Sequence, residues 1–111
     1  MGVASFRKRD GARTVRLVVK LFERIQQAVR EERYIFSDHA DNRLRERGIP
    51  HWQIIEGVEH GRLLRQRPAA RPNPVIEVEQ LLPDGGRVRA VWAYVESVEF
   101  AKLVTVHFFD L

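Results

Sequence analysis

The residues from Phe36 to Ile49 read Phe-Ser-Asp-His-Ala-Asp-Asn-Arg-Leu-Arg-Glu-Arg-Gly-Ile. Within them His39, Arg43 and Arg47 stand at i, i+4 and i+8, so on a helix they form one polar stripe. One imidazole followed by two guanidiniums suits a phosphate-bearing ligand: imidazole moves protons near neutral pH, and guanidinium matches phosphate oxygens two at a time. The same residues predict the helix that would carry the stripe. Ser37 is an N-cap whose hydroxyl can accept from a free first-turn amide. Asp38 and Asp41 put negative charge at the positive end of the helix dipole, and Arg45 and Arg47 put positive charge at the other. Gly48 can take the left-handed conformation that stops a helix. About ten residues lie between the caps.

The elements that must hold this helix follow from periodicity. Val15, Val18, Phe22, Ile25 and Val29 recur at alternating spacings of three and four, which predicts a first helix over about 14–32. Residues 1–12, with Gly2, Gly11 and the run Arg7-Lys8-Arg9, read as a disordered basic start, and 13–111 as one domain. A third helix opens at Pro50 and ends at Gly61, with Trp52, Ile54, Ile55 and Val58 offering an apolar side. The second half changes period. Residues 62–66 are a short candidate strand, 67–74 a proline-rich loop, and 75–82 an alternating strand. Pro83-Asp84-Gly85-Gly86 is a turn, and 87–95 is rich in β-branched and aromatic residues. Residues 96–101 connect to a last strand over 102–109. Val104, Val106 and Phe108 would share one of its faces, and Leu103, Thr105, His107 and Phe109 the other. Helices followed by strands give the α+β class, with N-terminal helices packed on a small antiparallel sheet.

Composition narrows the partners. The 111 residues contain no cysteine, which excludes disulfides, thiolate catalysis and zinc-thiolate sites and fits a cytoplasmic protein. No apolar run reaches the roughly 20 residues that span a bilayer. The net charge is +4, and sixteen of the nineteen basic residues are Arg, so an anionic partner is favoured. An Arg-preferring codon usage accounts for the same bias.

Phe36-Ser37-Asp38-His39-Ala40, Arg43-Leu44, Glu46-Arg47-Gly48-Ile49 and the later Gly61 resemble the DUF4258 family over about residues 30–109. In that family a His-Ala pair opens a helix, an Arg follows, and Arg-Gly-Ile closes it. Its C-terminal strand carries a Thr-Val-Tyr-like segment; Thr105-Val106-His107 here puts His where Tyr is common. The resemblance implies a fold similar to the RelE and MqsR messenger-RNA interferases, with helices on a small curved antiparallel sheet. It also implies a cognate antitoxin, commonly of the zinc-finger MqsA type.

Metal-independent RNA cleavage needs a base for the 2′-hydroxyl, an acid for the leaving 5′-oxygen, and cations for the charge that builds on phosphorus. His39 and His107 are the candidates for acid and base. Arg43 and Arg47 would clamp the phosphate, with Arg89 and Arg87 binding RNA from the sheet and Tyr94 as an acid or stacking residue. Each has a plain competitor. His39 can hydrogen-bond a loop carbonyl, the helix arginines can pair with carboxylates, and His107, Arg87 and Arg89 can line a solvated strand face. His51 and His60 read as capping residues, and Trp52 and Trp92 as core. No spacing points to a metal site or a cofactor. Three functions are therefore expected to compete: a toxin-like endoribonuclease acting on single-stranded RNA, a non-catalytic basic module that docks a protein or nucleic acid, and one half of a hetero-oligomer in which the arginine stripe is structural.

Overall fold

A computed structural model describes residues 21–109. The expected basic start at 1–12 and the beginning of the first helix lie outside those residues. Helix α1 occupies 21–30 within them, followed by β1 (Tyr34–Phe36), α2 (Asp38–Arg47) and α3 (His51–Glu59). Four strands complete the chain: β2 (Arg62–Arg67), β3 (Val75–Leu81), β4 (Arg87–Val95) and β5 (Phe100–Phe108). The class is α+β, as the order of periods predicts.

The strands form one sheet in the order β1-β5-β4-β3-β2. Four of them are an antiparallel meander, and β1 joins β5 in parallel. The expected antiparallel sheet thus gains a parallel edge strand, making it mixed. Three residues are too few to show a period; β1 forms because β5 offers an unpaired edge. The pairing stops at Phe36↔Leu103, so among the described residues the edge of β5 away from β4 has no strand beside it from there on.

The helices cover one face of this sheet. Leu21, Ile25, Ala28 and Val29 of α1, Ala40 and Leu44 of α2, and Ile54 and Val58 of α3 pack on Ile76, Val78, Val88, Ala90, Trp92, Leu103 and Val106. The buried pairs 40/44 and 54/58 are one turn apart, and that spacing sets each helix's orientation. Trp52 is therefore not core: it lies two residues from Ile54, about 200° around the helix, and is 50% exposed. Trp92 is fully buried.

Strict alternation along β5 also fails. Register shifts between Val91 and Trp92, whose partners are Thr105 and Leu103, so Val104 is an extra residue. This bulge turns Leu103 and Val106 to the same core face, although they are three apart. The strand also begins at Phe100, two residues earlier than expected.

Among the described residues one polar side chain is buried in the core. Gln80 is fully enclosed, accepts from the Trp92 indole N–H at 3.0 Å and donates to the Ile54 carbonyl at 2.9 Å. Gln80→Leu leaves the indole donor buried and unpaired, so it is expected to cost about 1–3 kcal/mol. Adding Trp92→Phe removes that orphan, and urea unfolding should show the pair costing less than the sum of the single changes. Additive losses would mean that the bond contributes nothing.

Candidate nucleic-acid interface at the open edge of β5

Ser37 joins the site to the sheet. Its backbone N–H donates to Leu103 O at 2.9 Å, continuing the β1–β5 ladder for one more bond. Its hydroxyl accepts from Ala40 N at 3.0 Å and donates to Val104 O at 2.7 Å. One side chain therefore starts α2 and satisfies the first carbonyl of the unpaired edge. The other end of α2 closes on Gly48, at φ +67°, where Ile49 N reaches back to Leu44 O at 2.9 Å. Held at both ends, α2 runs alongside the edge of β5 that β1 leaves uncovered.

Two residues of the stripe, Arg43 and Arg47, reach that edge. Arg43 is half-buried, and its Nε donates to Val106 O at 2.6 Å. Its guanidinium carbon lies 5.3 Å from the centre of the Phe108 ring, and that of Arg47 lies 4.2 Å from the same centre. Both distances are in the range of cation–π attraction. His39, one turn before Arg43, is exposed. Arg43 thus has a structural duty beside any chemical one. Arg43→Ala is expected to lower stability by about 1–2 kcal/mol through the lost charge-assisted bond and stem packing. Arg43→Met, which restores the packing, should recover part of it in thermal melts.

His107 approaches the edge from the other side. It is exposed, points to the sheet face opposite the helices, and is the direct cross-strand partner of Arg89. Arg87 shares that face, two residues before Arg89. Arg89 reaches Glu77 at 3.8 Å and Arg87 reaches Glu79 at 3.6 Å. The same two carboxylates also receive Arg67 at 3.4 Å and Arg62 at 3.0 Å. Each glutamate is shared by two arginines, so this face keeps a positive excess suited to an anion. The buried Nε of Arg89 has no hydrogen-bond partner among the described residues.

The predicted site residues therefore fall into three groups. His39, Arg43 and Arg47 lie along α2 on the helix side of the β5 edge. His107, Arg89 and Arg87 lie on the opposite side of the sheet, meeting the first group only across that edge. Tyr94 joins neither. It is five residues beyond Arg89, about 17 Å along β4, faces the helices, and is 6% exposed. It packs near Arg24, at 5.9 Å, beside a separate hollow lined by Arg33, Glu96 and Glu99. Two residues of that hollow, Gln27 and Arg33, also donate to Glu31, and these bonds hold its carboxyl below its ordinary value.

Two features escape sequence reasoning. His51 is not a capping residue in the structure: it stacks on Phe36 at 4.1 Å, and its Nε2 lies 2.6 Å from Asp41, which also takes Arg45 at 2.6 Å. No side-chain cap bond starts α3. Phe108 carries the two arginines of the stripe, and neighbouring Phe109 is 49% exposed. Nothing in spacing links Asp41 to His51 or Arg47 to Phe108, because packing alone brings them together. Among the described residues no three of His, Asp and Glu gather as a metal site would require, and no helix is long and apolar enough to cross a membrane.

No curated protein and no solved structure matches this chain. A family model does, and it spans residues 36–108, from the last residue of β1 to the last of β5. That span takes in the capped helix, its stripe, and the strand whose edge Arg43 and Arg47 reach. The chain belongs to the family described as Domain of unknown function, DUF4258.

Proposed function

We propose that this domain is a metal-independent endoribonuclease acting on single-stranded RNA in the cytoplasm. In this reading it is the toxin of a toxin–antitoxin pair, of the RelE and MqsR kind. Its partner would be a protein antitoxin, of the zinc-finger MqsA type that the family resemblance implies. One observation carries the reading. The edge of β5 that β1 leaves uncovered has a histidine and arginines on each side of it: His39, Arg43 and Arg47 from α2, and His107 and Arg89 from the sheet.

The chemistry runs as follows. A phosphodiester lying across the edge is bound by guanidiniums from both sides. One imidazole takes the proton of the 2′-hydroxyl, whose oxygen attacks phosphorus. The other gives its proton to the 5′-oxygen as the P–O5′ bond breaks, leaving a 2′,3′-cyclic phosphate and a 5′-hydroxyl. The arginines stabilise the negative charge that grows on the non-bridging oxygens.

The test is incubation of the purified protein with single-stranded RNA in excess chelator. The expected products are cyclic-phosphate ends, and the 2′-deoxy analogue should stay intact. Uncut RNA, or cutting that stops with chelator, would remove the proposal.

A second reading has its own support. Arg43 serves a backbone carbonyl, and Arg62, Arg67, Arg87 and Arg89 pair with Glu77 and Glu79, as structural arginines do. A non-catalytic module that docks nucleic acid through this face would cut nothing, and its affinity would fall steeply with salt.

A further inference from the structure

Below the C-terminal end of α2 the structure holds a cavity of about 410 Å³. Its walls include Arg47 from α2, Gln53 from α3, Asp84 and Arg87 around the β3–β4 turn, and Phe108 and Phe109 from the end of β5. The volume lies within the roughly 300–1,000 Å³ typical of small-molecule sites. We propose that this cavity is a nucleobase subsite, which takes the base of a nucleotide flanking the phosphate at the β5 edge. The proposal rests on the endoribonuclease reading for its substrate class and adds a location for the base.

Three observations select a base. First, the cavity offers aromatic surface that folding has not used up. Phe108 is half-buried beneath Arg47, whereas Phe109 is 49% exposed, with the Arg89 guanidinium 5.9 Å from its ring centre. An exposed ring beside guanidiniums is the arrangement on which single-stranded bases stack. Second, the wall mixes hydrogen-bonding types. The half-buried Gln53 amide can both donate and accept, as base edges require. The Asp84 carboxylate already accepts from Gly86 N at 2.8 Å, and its charge disfavours a phosphate at that wall. Third, the cavity shares residues with the proposed phosphate-binding groups: Arg47 belongs to the α2 stripe, and Arg87 to the outer sheet face. In this proposal a nucleotide bound at the edge puts its base in this hollow, and Arg47 and Arg87, which line it, flank its phosphate.

The probe is a fluorescent single-stranded RNA decamer with every 2′-hydroxyl methylated, which the protein can bind but cannot cut. Anisotropy would compare the wild-type protein with Phe109→Ala and Phe109→Tyr. Loss of one base–aromatic stack predicts binding weakened roughly 5- to 150-fold in Phe109→Ala. Phe109→Tyr should bind within about twofold of wild type, because the ring is kept. A decamer made wholly of abasic sites should bind wild type as weakly as the normal decamer binds Phe109→Ala. Circular dichroism melts check that Phe109→Ala stays folded; if it does not, the abasic comparison with wild-type protein decides alone. Equal binding of the normal and abasic decamers, or no binding by wild type, overturns the subsite. Ring-dependent binding by a protein that cuts no RNA would keep the subsite and discard the nuclease reading.

Discussion

His39→Ala is expected to cut RNA about 10²- to 10⁴-fold more slowly than wild type, the range that one general acid or base supplies. The fold should not notice the change. His39 is exposed on α2, and a surface substitution of this kind is worth within about 0.5 kcal/mol. His107→Ala should give a loss of similar size, because that imidazole is also exposed and would carry the other proton. The two variants can be told apart by the leaving group. A substrate with sulfur in place of the bridging 5′-oxygen needs no acid, since a thiolate leaves unaided. It should restore cleavage to the variant that lacks the acid and leave the other slow. The double variant should be much less impaired than the product of the single losses, as happens when groups act in one step. Wild-type rates in His39→Ala would end its role as acid or base. A loss confined to His39, with His107→Ala unaffected, would leave a one-histidine site on α2 and make the outer sheet face a binding surface only.

The largest expected loss of stability is at Gly61. This residue joins α3 to β2, and its φ is not in the left-handed region; the limit there is space. A Cβ at Gly61 would come within 2.3 Å of Val78 Cγ1 and 3.2 Å of the backbone oxygens of Glu79 and Gly57. Val78 is fully buried and cannot swing aside, and the two oxygens are backbone. Gly61→Ala is therefore expected to cost about 3 kcal/mol through overpacking. For a domain of this size that lowers the melting temperature by roughly 10–20 °C. Val78→Ala removes the atom that clashes. It should cost stability alone, yet partly rescue Gly61→Ala, a sign of coupling that two independent sites would not show. A Gly61→Ala protein that melts with wild type would mean that α3 and β2 can separate at no cost.

The same position shows where local reading stops. Gly61 was legible as the end of a helix, because glycine and polar residues end helices. Its actual constraint, the close approach of β3, is not written near it. The difference recurs through the molecule. The capping bond of Ser37, the dipole charges of Asp41 and Arg45, and the left-handed Gly48 act within one turn, so the start and stop of α2 could be read directly. Strand β4 was legible to the residue because β-branched residues and turn signals bound it on both sides. The three-residue β1 was not, because its existence depends on an open edge 67 residues away.

The candidate site divides along the same line. The chain alone set the helical stripe of His39, Arg43 and Arg47, since 3.6 residues per turn leave no other arrangement once α2 forms. It also set the strand that carries His107. Tertiary structure decided what those groups face. The early end of β1 leaves the outer edge of β5 at Val104 and Val106 without a strand among the described residues, and Ser37 and Arg43 satisfy their carbonyls. The bulge at Val104 fixes which of His107 and Phe108 turns toward the helices. Packing buries Tyr94 under the helices and gathers Gln53, Arg87 and Phe109 around one cavity. Spacing along a chain governs contacts within a turn or between alternate residues, whereas these contacts join segments dozens of residues apart. Their register is set by burying the apolar faces of three helices and a sheet together, a choice that no short stretch of sequence can make.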